Sequence, residues 1–430
     1  MLVMIWVPIV FSQPENKLQI PLDSIFVLLN QNNTSQKLFR IKVETARKNV
    51  SIVKSLRLPF VNIGISGRYI GRAQLIDRDF SHYETVDIPH FGNSFSVEAS
   101  YLIFDGGSLS RLLDLEKLSV ETSIVNDRKN QIDLKLITAG YYLDLCRFQN
   151  QQNVFMKNIE QTDKLIEMIR ARHKEGMVLA NDITRIELQR ENLRIGLLEI
   201  ENNMSICNDF LVTAVGLPKE TIVAADTSVN RYVQYEISKC QLLDTAAKYR
   251  PELQVVSVQK KIAQEQLKLA KAARYPSVSV FAGNNLDGPI LNEIPPINRN
   301  INNWCAGVGL NYELSNIYKA GKSIKKAQSV NNELSVENKI VQEQAALALH
   351  AANTRFTEAI EKVRMYDKSL QLAEENFKVI DNRYLSDMAL ITDMLDALTM
   401  KLNAQLQVVN ARLDVTYTYF KLLRELGKDF

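Results

Sequence analysis

Residues 383–398 read RYLSDMALITDMLDAL, and residues 172–187 read RHKEGMVLANDITRIE. Arg383 minus Arg172 is 211, and at that offset Arg172/Arg383, Met177/Met388, Leu179/Leu390 and Asp182/Asp393 coincide without a gap. Each copy lies between two long stretches almost free of Gly and Pro, so each reads as the turn of a long helical hairpin. A chain built as two such hairpins carries its most specific chemistry at the two tips.

Outward from the first tip, residues 109–172 contain no proline and a single glycine, Gly140. Ile132, Leu136, Ala139 and Leu143 recur at helical spacing. A helix over 109–172 would be roughly 95 Å long at about 1.5 Å per residue. A second helix spans 180–215 and stops at Gly216-Leu217-Pro218. The same order surrounds the second tip, with helices over 323–383 and 390–426. Gly427 minus Gly216 is 211, as is Tyr312 minus Tyr101, whereas Pro276 minus Pro59 is 217. The repeat therefore differs by six residues in one loop and keeps register after it, as duplicated units do.

Upstream of each long helix the period changes from helical to two. Val61, Ile63, Ile65 and Tyr69 alternate with Asn62, Gly64, Ser66 and Arg68 in a strand over 59–71. Residues 72–93 read as a polar loop, and a second strand follows over 94–104. Strands over 276–284 and 304–314 occupy the same places in the second repeat, separated by a Pro/Asn-rich loop. Leu18 to Leu56 reads as helix with polar interruptions near Asn30–Asn33, and a helix over 241–274 is interrupted at Arg250-Pro251. The repeats thus run over 13–218 and 241–430, joined by a linker at 219–240.

Composition narrows the function classes. The chain has 430 residues and a formal net charge of +3, and nothing in that balance argues for a nucleic-acid partner; none is expected. The first residues, MLVMIWVPIVF, are apolar but too short to span a bilayer. With Val10 and Ser12 at the −3 and −1 positions they read as an export signal over 1–12, although without a basic start. Cys146, Cys207, Cys240 and Cys305 have no zinc spacing, and no metal or cofactor site is expected. No phosphate-binding glycine loop and no nucleophile in a recognised setting is present, so no catalytic residue is assigned.

Four short strands, each with one apolar and one small or polar face, cannot close a barrel alone. An open sheet with an apolar outer face needs a partner. Outer-membrane strands carry this signature, with aromatics such as Trp304, Tyr312 and Tyr101 near their ends. The layout, with Phe104-Asp105-Gly106-Gly107 after the second strand and Ile391-Thr392-Asp393-Met394-Leu395-Asp396-Ala397 at the second tip, resembles the TolC-type outer-membrane efflux family. Asn181-Asp182-Ile183 resembles that family's first tip. The second repeat departs from the pattern at Leu314-Ser315-Asn316-Ile317-Tyr318-Lys319, and Asp387 replaces a glycine that Gly176 keeps.

The resemblance implies an α+β membrane protein: a homotrimer whose twelve strands form one outer-membrane β-barrel, continued by a long α-helical periplasmic barrel. It implies a passive exit duct embedded in outer-membrane lipid. A periplasmic adaptor (membrane fusion protein) would dock at Gly176, Met177, Asp387 and Met388, and an inner-membrane pump of the RND or ABC type would supply the energy. A type I protein secretion duct is the alternative within the family, and a soluble coiled-coil scaffold the alternative outside it.

Leu395, Leu398, Leu402 and Val409 make a seam interrupted by Gln405, with Asp393 and Asp396 on the other side. Spacing alone leaves these aspartates a solvated face of an amphipathic helix. The resemblance implies an entrance constriction at Asp393 and Asp396, with Tyr384 and Asp182 linking hairpins to keep it shut. The family's arginine after the second tip is replaced by Ala389, so the closed entrance is expected to be held differently.

Overall fold

The computed structural model describes residues 16–226, 245–246, 248–293 and 296–430. The export signal, Cys240 and most of the expected linker lie outside them. In chain order the elements are β1 (Asn16–Ile20), α1 (Leu22–Asn32), α2 (Thr34–Ser55), β2 (Phe60–Tyr69), β3 (Ala73–Ile76), β4 (Tyr83–Val86), β5 (Phe91–Phe104), α3 (Ser108–Lys174), α4 (Ala180–Val215) and β6 (Thr221–Ala225). There follow α5 (Pro251–Ala272), β7 (Ser277–Gly288), β8 (Ile301–Asn311), α6 (Asn316–Leu385) and α7 (Ile391–Glu425).

The four long helices match the expected ranges within two residues, except that α6 begins seven residues earlier than expected. Other expectations are corrected. The helix over 18–56 is a short strand and two helices, because Asn33 adopts an extended backbone (φ −61°, ψ 129°) and its side chain accepts the Ser35 amide at 2.9 Å. The loop over 72–93 contains the hairpin β3–β4, whose four-residue strands are too short to show a period. Part of the linker is β6, which pairs parallel with β1.

The chain divides into two compact units. The first takes the described residues within 1–41, 125–255 and 339–430; the second takes 42–124 and 256–338. Both units therefore draw on both sequence repeats.

The second unit holds a four-stranded antiparallel sheet in the order β2-β5-β7-β8. Its register sorts the side chains. Val61, Ile63 and Ile65 face Ala99, Val97 and Phe95; Ala99 and Tyr101 face Ala282 and Val280; Ala282, Val280 and Val278 face Ala306, Val308 and Leu310. All of these share one face, since period two places alternate residues together. The other face carries Asn62 opposite Glu98, Gly64 opposite Ser96 and Ser279 opposite Gly309, with Phe60, Leu102, Phe281 and Ile301 as large exceptions. Gly307 gives the Phe281 ring space, because a Cβ there would lie 2.8 Å from it. The apolar face is open: Ile65 is 78% and Trp304 79% exposed. Strands β2 and β8 are unpaired edges.

The Phe104-Asp105-Gly106-Gly107 turn joins sheet to helix. Asp105 caps α3 by accepting the Gly107 amide at 3.0 Å and the Leu109 amide at 2.6 Å. Gly106 sits at φ 69°, and a Cβ there would meet the Ala272 carbonyl at 2.6 Å, so this position requires glycine.

The first unit is helical, and its largest core joins α1, α3, α4, β6 and α7 through Ile25, Leu29, Tyr142, Leu143, Leu211 and Phe420. The buried Tyr142 hydroxyl donates to the Ile20 carbonyl and accepts the Asp226 amide, both at 2.8 Å. It thereby fastens the ends of β1 and β6 to α3. A second core packs Leu349 and Phe356 of α6 against Val415 and Leu422 of α7. A third gathers at the tips.

Candidate functional site

Both tips are built by the same backbone plan. In the first, the Gly176 amide donates to the His173 carbonyl at 2.9 Å and the Met177 amide to Arg172 at 3.0 Å. In the second, the Asp387 amide donates to Tyr384 at 3.2 Å and the Met388 amide to Arg383 at 2.8 Å. Every one of these partners is 211 residues from its counterpart. The turn residues share the left-handed region, with Gly176 at φ 74° and Asp387 at φ 58°. Aspartate bears a modest strain there that glycine does not.

The next helix starts alike in both copies. Leu179 and Leu390 are the extended N-caps of α4 and α7. Their amides donate to Asp182 Oδ2 at 3.2 Å and Asp393 Oδ2 at 3.1 Å. A carboxylate in this first turn satisfies an orphan amide and complements the helix dipole. Asp393 is therefore more than a free face residue: it holds the start of its own helix. Asp396, one turn on, is exposed, as is Asp393. The observed seam of α7 is carried by Met394, Ala397, Leu398, Leu402 and Val408, all buried, while Leu395 and Val409 are half-buried. Gln405 accepts a hydrogen bond from the Asn158 amide nitrogen at 3.1 Å.

The two tips meet in a small apolar core. Leu165, Ile166 and Ile169 of α3 and Ile186 of α4 pack with Tyr384 of α6 and Ile391 and Met394 of α7. At its edge Arg172 reaches across from the first hairpin. Its guanidinium donates to the Tyr384 carbonyl at 3.2 Å, the Leu385 carbonyl at 2.8 Å and Asp387 Oδ1 at 3.0 Å. Those carbonyls end α6; that of Tyr384 also accepts the Asp387 amide, so the arginine of one hairpin adds to the cap of the other's helix. The same guanidinium lies 5.6 Å from the centroid of the Tyr384 ring. The bond to Arg172 also gives Asp387 a reason to occupy a glycine position. Sequence reasoning paired Arg172 with Arg383 but missed this role, because the acceptors are mostly backbone atoms.

Tyr384 is only 4% exposed, and its buried hydroxyl makes no hydrogen bond among the described residues. Burial raises its pKa above the ordinary tyrosine range; the nearby Asp182 carboxylate adds to the rise and Arg172 opposes it. Tyr384 and Asp182 are thus electrostatic neighbours, without the hydrogen bond that a hydroxyl–carboxylate link would show. Met177 and Met388 are exposed, as are Leu179 and Leu390, so each tip presents an apolar pair beside its turn. Among the described residues no group of three His, Cys, Asp or Glu is arranged to hold a metal ion, and no helix is long and apolar enough to cross a membrane.

Known proteins share this architecture. The chain is similar to the outer membrane protein VceC of Vibrio cholerae, at 15% identity and a TM-score of 0.78, covering 95% of this chain and 96% of that one. It is similar to the CmeC outer membrane channel of Campylobacter jejuni, at 16% identity and a TM-score of 0.78, covering 97% and 90%. It is also similar to the open state of the MtrE outer membrane channel of Neisseria gonorrhoeae, at 14% identity and a TM-score of 0.75, covering 95% and 89%. No curated protein matches the chain in sequence. The sequence model of the outer membrane efflux protein family matches residues 242–428. Over that part the chain is similar in sequence to outer membrane efflux proteins, and over nearly its whole length it shares the fold of the outer membrane channels above.

Proposed function

We propose that three copies of this chain form a passive exit duct in the bacterial outer membrane, one part of a tripartite efflux system. The observation that carries this reading is the open sheet β2-β5-β7-β8, apolar on one face and unpaired at both edges. Such a sheet is unstable in water and complete only when other strands pair with its edges. Three copies supply twelve strands, an even number that closes a barrel, with the apolar face to lipid and the serine, glycine and asparagine face to the lumen. The helical hairpins then face the periplasm, where a membrane fusion protein docks on the tips at Gly176, Met177, Asp387 and Met388. Energy comes from an inner-membrane pump, because no part of a duct lined by small polar groups stores or converts it.

In this reading Asp393 and Asp396 of three copies ring the entrance, raising the local cation concentration and repelling anions. The test is electrical. Purified protein added to a planar bilayer is expected to form discrete, long-lived conducting units selective for cations at low salt. Failure to conduct by protein shown to be folded would remove the duct reading.

A further inference from the structure

Arg172 and Arg383 occupy equivalent places in two tips that share the same turn and helix-cap hydrogen bonds, yet only Arg172 is used. Its guanidinium closes the end of α6. The Arg383 side chain is exposed and makes no hydrogen bond or ion pair among the described residues. Shifting the acceptors of Arg172 back by 211 residues gives Arg383 a matching set: the carbonyls of His173 and Lys174, at the end of α3. Lys174 is the last residue of that helix, so its carbonyl has no intrahelical donor. Within one chain the α3 end has no third hairpin beside it to donate from. An adjoining copy would bring one, since a closed ring of repeated hairpins alternates the contact within a chain with the contact between chains.

We infer that Arg383 caps α3 of the adjoining copy, donating to its His173 and Lys174 carbonyls, as Arg172 caps α6 within the chain. The partner is a second copy, and the inference rests on the assembly proposed above. The two seams are unequal. Arg172 also meets the carboxylate of Asp387, whereas the residue facing Arg383 at the equivalent place is Gly176, which has none. The seam between copies is therefore the weaker one, and the entrance opens there first.

Gly176→Asp tests this directly. The substitution copies what the second tip already has: Asp387 occupies the same left-handed backbone, and a Cβ at Gly176 meets nothing within 4 Å. Native mass spectrometry first establishes that each variant is a trimer. Open-state occupancy is then measured in a planar bilayer at low salt, where exposed ion pairs are least screened. Gly176→Asp should lower it about 1.5- to 5-fold, the range of an exposed ion pair. In an Arg383→Ala background, itself more open than wild type, the effect of Gly176→Asp should vanish. An unchanged occupancy in trimeric Gly176→Asp, or the same decrease with and without Arg383, would overturn the inference while leaving the duct intact. A wild-type chain that stays monomeric would instead remove the assembly, and this seam with it.

Discussion

Arg172→Ala should loosen the contact between the two hairpin tips of one chain. The arginine makes two charge-assisted bonds to carbonyls that end α6, at 2.8 and 3.2 Å. Each contributes about 1 kcal/mol net for a partly shielded donor. The ion pair with Asp387 is exposed on the acid's side, at 71%, and contributes about 0.2–1 kcal/mol. The guanidinium over the Tyr384 ring contributes about 0.5–1 kcal/mol. These effects share one side chain and do not simply add, so the expected loss is about 2–4 kcal/mol. That corresponds to a shift of roughly 30- to 1,000-fold in the opening equilibrium of the tip. Hydrogen–deuterium exchange reads it where it occurs, at the Asp387 and Met388 amides that close the second turn. Their protection should fall by that factor, while protection around Tyr142, in the distant core, stays constant. Arg172→Lys should be intermediate, because a single ammonium cannot span three acceptors as the fork does. Unchanged protection at Asp387 and Met388 in the alanine variant would refute the clamp, and full retention by lysine would refute the fork.

Four further outcomes follow from particular residues. Leu310→Arg should impair barrel assembly by about 2–4 kcal/mol near the membrane midplane, whereas Asn311→Arg is tolerated; the amount of assembled trimer after refolding checks it. Trivalent cations added from the periplasmic side should block the channel, and Asp393→Asn with Asp396→Asn should abolish that block, asparagine keeping an acceptor for the Leu390 amide; block that persists in the double variant would remove the ring. Tyr384→Phe should leave tip exchange nearly unchanged, since the lost hydroxyl has no partner to leave unpaired. Burial pushes the Glu252 carboxyl up, but Arg424, a backbone hydrogen bond, Arg250 and Lys129 together hold it below its ordinary value of 4.5. Its contribution is therefore fully present above about pH 4.5 and is lost as the pH falls through the lowered value, so Glu252→Gln should flatten the acid side of the melting-temperature profile.

Much of this fold is legible in the sequence, for physical reasons. Long runs without Gly or Pro can hardly be other than helix, and the alternation from Val61 to Tyr69 places its apolar set on one face. The observed register keeps Val61, Ile63 and Ile65 together with Val308 and Leu310. What the sequence hides is pairing at a distance and bonding to backbone. Strands β1 and β6 pair with Asn16 opposite Thr221, and five residues of each carry too little pattern to announce a partner so remote. Arg172 stood out only by its match to Arg383; the carbonyls of Tyr384 and Leu385 belong to any residue and leave no mark. Asp393 stood out as a charge, but its bond to the Leu390 amide needs the turn geometry that Asp387 sets. The expected strand over 276–284 stops short of the end of β7, because Asn285 and Asp287 look like loop residues until they face Ser96 and Ser94.

The proposed duct needs more than one chain, since each supplies only part of the barrel. Native mass spectrometry of the protein extracted from the outer-membrane fraction tests it most directly. Three chains per particle, held together after detergent extraction, are expected. A single chain per particle, or recovery of the protein only in the soluble fraction, would contradict it.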